Sequence, residues 1–152
     1  MLDHPELEAL NPEIEKMPHR ARMRIAVRAA DSAVRSSEGI VDIQYRHLFR
    51  EMLNAGWRAV NSGSGTLKIS EDLNTEIGES LEPTEADGEN TAYYLVRAFD
   101  ELVPSGRDYQ GLTADQLAYA LEYLYNAEGA NPRVPESDAA VLHKRLIEEE
   151  IL

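Results

Sequence analysis

The sequence predicts an all-α fold, a single-domain antiparallel bundle of about six helices. Apolar residues recur at steps of three and four along several stretches, and no stretch alternates with period two over more than a few residues. Proline, glycine and capping residues punctuate the chain at helix-length intervals. At 152 residues and 43% hydrophobic composition, the chain suits one domain with its own core.

Residues 3–11 predict a short helix capped by Asp3, with Leu7 and Leu10 as its apolar contacts. Pro12 and Pro18 interrupt the chain and prepare the first long helix, Pro18–Ser36. Its small and apolar residues (Ile25, Ala26, Ala29, Ala30, Ala33, Val34) share one face, which lets a second helix approach closely. Arg20, Arg24, Arg28 and Arg35 line another face, and are expected to pair with carboxylates of the acidic half. Asp42–Asn61 reads as the central core helix through Tyr45, Leu48, Phe49, Met52, Leu53, Gly56, Trp57 and Val60. Burial of Trp57 there predicts a loss of about 3–5 kcal/mol in Trp57→Ala.

Residues 61–65, Asn-Ser-Gly-Ser-Gly, read as a flexible loop inside the domain. A narrow amphipathic helix is expected over Thr66–Leu81, from Leu67, Ile69, Leu73, Ile77 and Leu81, followed by an acidic loop over Glu82–Asn90. Asn90 is a good N-cap for a helix to Val103. Thr113 and Gln116 have the form of a capping box opening Ala114–Glu128, with Leu117, Ala118, Leu121, Leu124 and Tyr125 inward. A loop holding Pro132 and Pro135 leads to a last helix, Ser137–Glu149, buried through Ala140, Val141, Leu142 and Leu146.

Charge is distributed unevenly. Residues 1–65 carry 9 Lys/Arg and 9 Asp/Glu, so the net charge of -13 belongs wholly to residues 66–152. Between Ser70 and Asn90 stand Glu71, Asp72, Glu76, Glu79, Glu82, Glu85, Asp87 and Glu89, with no Lys, Arg or His. Charge runs are commonly just solvated faces, but this one also has the makings of a docking surface for a basic partner. Such a potential repels nucleic acid and anionic lipid, so neither is an expected partner. Six of the seven tyrosines lie between residues 93 and 125. Tyr93, Tyr94, Tyr119 and Tyr123 are candidates to flank the acidic stretch, because exposed rings among carboxylates suit a cationic surface. The bland alternative is that these rings cover the rim of the bundle.

Signatures of catalysis are missing. There is no glycine-rich phosphate loop, HExxH, GxSxG or EF-hand spacing, and no histidine has a Glu three residues before it. His47 lies beside an apolar face without a motif partner and reads as a structural or surface residue. No cofactor, metal or enzymatic activity is expected. The absence of cysteine excludes disulfides and thiolate metal sites. No apolar run approaches the ~20 residues of a membrane-spanning helix. The acidic start lacks the form of a secretory signal, and a cytoplasmic location is expected.

The order of MPHRARMRIAVRAADSAVR (residues 17–35), a second helix ending AGWRAV, and an acidic loop before an Ala/Tyr helix resembles the small all-helical immunity proteins of bacterial polymorphic-toxin systems. The likeness spans about residues 17–125 and is carried by an HR-like pair opening the alanine-rich helix and by Leu53, Ala55, Gly56 and Trp57. That resemblance implies a cytosolic protein that binds and neutralises a toxin domain; nucleic-acid-degrading toxins are basic. Two alternatives stand beside it: a nucleic-acid mimic that occupies a DNA-binding protein, and a carboxylate-rich enzyme or metal protein.

Overall fold

The alanine-rich stretch behind Pro18 is the axis of the fold. The computed structural model describes residues 1–88, 90–131 and 138–151, and these are helical with no strand. A 3₁₀ turn, Glu8–Leu10, runs into α1 (Asn11–Lys16), followed by α2 (His19–Ser37), α3 (Ile43–Asn61) and α4 (Glu71–Ala86). Then come α5 (Thr91–Glu101), α6 (Ala114–Gly129) and α7 (Ala139–Ile151). The result is an all-α bundle, as the periodicity predicts.

Helix α2 packs against α3, α5, α6 and α7, which makes it the central helix in place of the expected 42–61 segment. Alanines 21, 26, 29, 30 and 33 are buried on several sides of it, and short side chains are what permit four neighbours. Gly56 serves the same end from α3: a Cβ there would lie 2.8 Å from Val27 Cγ2. Trp57 is only half-buried, at the margin of the core, so its truncation removes less than a full core ring. Phe49 and Phe99 instead stack at the centre, 5.5 Å between centroids.

The N-terminal segment is pinned by Asn11, whose side chain accepts from the Leu2 amide and donates to the Leu2 carbonyl. Arg22 is buried, and its guanidinium donates to the carbonyls of Ile14 and Glu15 at 2.7 Å and of Leu112 at 3.2 Å. It thereby closes the C-terminal end of α1, where backbone oxygens lack helical donors and the helix dipole favours a cation. Burial holds this guanidinium below its usual pKa, partly offset by Glu15.

The stretch read as a flexible connector is held on both sides. Ser64 donates to the Ala59 carbonyl, and the Gly65 carbonyl accepts from Leu112. Here two glycines are required: a Cβ on Gly65 would sit 2.3 Å from His19 Cβ, and one on Gly111 (φ +148°) would sit 2.7 Å from it.

The fourth helix starts later and ends later than expected. Ser70 accepts from the Leu73 amide and sets the start, which leaves Leu67 and Ile69 in the non-helical chain before it. Glu82–Ala86 are helical, so most of the expected acidic loop belongs to α4, and among the described residues Asp87, Gly88 and Asn90 remain outside a helix. Pro83 is tolerated because it removes one N–H on an exposed turn, where the freed carbonyl is open to solvent. The expected caps at Asn90 and Thr113 are both formed, the latter as a reciprocal capping box. Val141 and Tyr125 point outward rather than into the core. The Pro132–Pro135 loop, Ser137 and Glu89 lie outside the described residues.

Candidate functional site

Helix α4 is tied to the bundle by α5 and α3 and buries only Ile77 and Thr84. Everything else on it is half-buried or open, and Glu71, Asp72, Glu76, Glu79, Glu82, Glu85 and Asp87 are all exposed. Among the described residues, none of these seven carboxylates is in a salt bridge. The first two suit the positive end of the helix dipole. Glu82, Glu85 and Asp87 do not: they crowd the negative end, and no basic residue occupies the last turn.

The arginine stripe of α2 was the internal competitor for that charge, and it is engaged elsewhere. Arg24 makes a bidentate pair with Glu150, 2.6 Å at its shortest, and Arg28 meets Glu149 at 2.7 Å. Arg35 pairs with Asp31 one turn back on its own helix. Arg24 and Arg28 therefore clasp α7, and no arginine of the stripe is in a salt bridge with the α4 carboxylates among the described residues; the Glu150 carboxylate holds Arg24 above its usual pKa.

Beyond the end of α4, a cavity of about 340 Å³ opens against the start of α5 and the α2–α3 connection. Asp42, Asp87, Asn90 and Tyr45 give it polar walls, and Thr84 and Thr91 lie behind them. Burial, and then the charges of Asp87 and Asp42, push the Tyr45 phenol up, so the two carboxylates reinforce each other there.

The tyrosines gather about a cation of the protein's own. Arg97 donates to the Tyr123 hydroxyl at 2.8 Å with its guanidinium carbon 5.2 Å from that ring's centroid. Tyr93 lies close enough to raise the Arg97 pKa, after the larger effect of Tyr123, and it meets Tyr94 edge-on at 5.2 Å. Tyr94 and Tyr123 also pack on the core. Only Tyr119 is as exposed as expected, at 47%, and α6 packs on α5, α2 and α7, so α5 stands between it and α4. The structure thus assembles the carboxylates as one face and separates the α6 tyrosines from them.

No protein-family model matches this chain, and no curated protein or solved structure matches it. Function has to be read from its own residues.

No group of three or more His, Asp or Glu side chains among the described residues is arranged to hold a metal ion. No helix among them is long and apolar enough to cross a membrane. His47 is exposed on α3. Two groups were missed in the sequence: Arg22 and His143, both almost fully buried. Each continues a line of small and apolar residues at helical spacing (Arg22 with Ile25, Ala26 and Ala29; His143 with Ala139, Leu146 and Ile147), and that spacing was the signal available.

Proposed function

We propose that this chain is an acidic helical binding protein that neutralises a basic protein partner, and that the partner is a bacterial toxin domain against which it acts as an immunity protein. The supporting observation is the unneutralised carboxylate face of α4, which persists while Arg24 and Arg28 of α2 are spent on Glu150 and Glu149 and Arg35 on Asp31. Six like charges on one helix, with a seventh at its C-cap, repel one another, and a cationic surface relieves that repulsion while the field speeds its arrival. The recess between Asp42 and Asp87 is the place for a lysine or arginine side chain from the partner. The edge of the Tyr93–Tyr94 pair is the secondary contact in this reading, since Tyr119 lies across α5 from the carboxylates and Tyr123 is already occupied by Arg97. The toxin assignment rests on the resemblance of residues 17–125 alone; the preference for a basic partner rests on charge.

The test is association with a basic nuclease toxin domain encoded beside this chain, followed at ~50 mM and ~500 mM salt, because exposed charges are screened within a few ångströms at the higher value. Association is expected to slow by about tenfold or more at high salt, and likewise when Glu76, Glu79, Glu82 and Glu85 are changed to lysine. If no basic protein is bound even at low salt, the reading is wrong.

A further inference from the structure

On the side of the bundle formed by the N-terminal segment, α6 and α7, a cavity of about 250 Å³ has a different character. Leu2, Leu7, Ala118 and Leu121 give it apolar walls, and His143 contributes an imidazole from α7. That residue is 2% exposed, and its Nδ1 has no hydrogen-bond partner among the described residues. An enclosed ring nitrogen left without a partner costs free energy, so such groups are rare unless something fills the gap. Nothing else in the proposed function uses this histidine.

The walls are built rather than incidental. The Asn11 amide bonds Leu2 through both its N–H and its carbonyl, which fixes the N-terminal segment over the cavity. His4 meets the Tyr125 ring edge-on at 5.1 Å, and both line the opening. Asp3 and Glu122 are exposed there as well.

We propose that this cavity is a binding site for a small neutral molecule with an apolar body and one hydroxyl-like group, held by a hydrogen bond to His143. The size is right, since a cavity of about 150 Å³ lined by aliphatic side chains accommodates benzene. Apolar walls with one buried polar group are the usual make-up of a small-molecule site, where the polar group orients the ligand. Charged ligands fit poorly. An anion would pass the carboxylates of Asp3 and Glu122, and a cation would be held by those exposed carboxylates at the opening rather than enter the apolar interior, where the buried ring supplies no negative charge. Burial, and then the nearby His4, hold His143 neutral, with its pKa lowered to about 4. A neutral imidazole has one donor and one acceptor nitrogen, and a hydroxyl answers either one.

The experiment uses phenol and toluene, which share a ring and differ in the hydrogen-bonding group. Both are titrated into the full chain while the His143 ring resonances are followed by NMR. Phenol is expected to shift those resonances saturably and to bind about threefold to tenfold more tightly than toluene, the worth of one hydrogen bond. His143→Phe is expected to abolish that preference; should the variant not fold, the phenol–toluene comparison in the unaltered chain decides. Absence of a saturable shift at His143 would mean that the cavity holds only water, and the proposal fails. Equal affinity for the two probes, or shifts centred away from α6 and α7, overturns it as well. These outcomes leave the carboxylate face of α4 unaffected, because that reading uses none of these residues.

Discussion

At His143 the fold keeps an imidazole out of water and uncharged, and pH dependence follows from that. Its pKa is about 4 in the folded chain against an ordinary 6.5, so the unfolded chain binds the extra proton in between. Stability from this group is therefore full above pH 6.5 and falls as the pH drops toward 4, by about 3 kcal/mol in total. Asp100 and Glu101 act in the opposite sense. Burial raises both carboxyl pKa values, so the folded chain takes up protons first and gains stability as the pH falls. Their contribution cancels when the parent is compared with His143→Leu by urea unfolding at several pH values. The difference between the two proteins should shift against the parent between pH 6.5 and 4; a difference independent of pH would remove the argument. A second residue-scale prediction concerns Gly65. Its missing Cβ would overlap His19 Cβ and lie 2.8 Å from the His19 carbonyl carbon, neither of which can rotate away. Gly65→Ala should cost about 3 kcal/mol in denaturant unfolding, within the range of overpacked sites. A loss below half a unit would show that the crossing is loose.

Among the elements, α4 and α7 are opposites. Helix α7 is clasped by α2 through two cross-helix ion pairs, one of them bidentate, and a double-mutant cycle on Arg24 and Glu150 should give a coupling of about 1 kcal/mol. No measurable coupling would make the clasp incidental. Helix α4 holds its place with few buried contacts and carries Gly78 at an exposed position with nothing within 4 Å of its absent Cβ. Gly78→Ala should therefore stabilise the chain by about 0.5–1 kcal/mol, read as a raised melting temperature. Most helices were legible from spacing alone, because a stripe such as Leu95, Val96 and Phe99 has only one way to reach a core. The start of α4 was not, since Leu67 and Ile69 fall on the helical period yet reach the core from non-helical chain, Leu67 buried and Ile69 partly so, and only the Ser70 cap shows where the turn begins. The Arg24–Glu150 pair joins residues 126 apart in sequence, and no local pattern reports a tertiary contact of that length. Arg22 and His143 lay on buried lines, but their polarity argued for the surface. The carboxylate face was legible as charge; that it lacks internal counter-ions needed the course of α2 against α7.

For the molecule as a whole, the question is whether its surplus charge opposes folding. The net charge is -13, and α4 concentrates much of it without a counter-ion among the described residues. Compaction brings those charges together, and self-repulsion of this kind destabilises the folded state. Salt acts on two opposed effects. It screens the attractive pairs Arg24–Glu150 and Arg28–Glu149, which lowers stability, and it screens the repulsion along α4, which raises it. The pairs are close and one is partly buried, so they are screened least; the carboxylates of α4 are exposed and several ångströms apart, so they are screened most. Stability should accordingly rise between ~20 mM and ~300 mM sodium chloride, over which the Debye length shrinks several-fold. Changing Glu76, Glu79, Glu82 and Glu85 to lysine takes the net charge from -13 to -5 and should flatten that rise while keeping the helical content. Melting followed by circular dichroism at matched salt concentrations decides it: a parent whose stability falls with salt would mean that the clasp on α7, rather than repulsion on α4, controls the electrostatics of this fold.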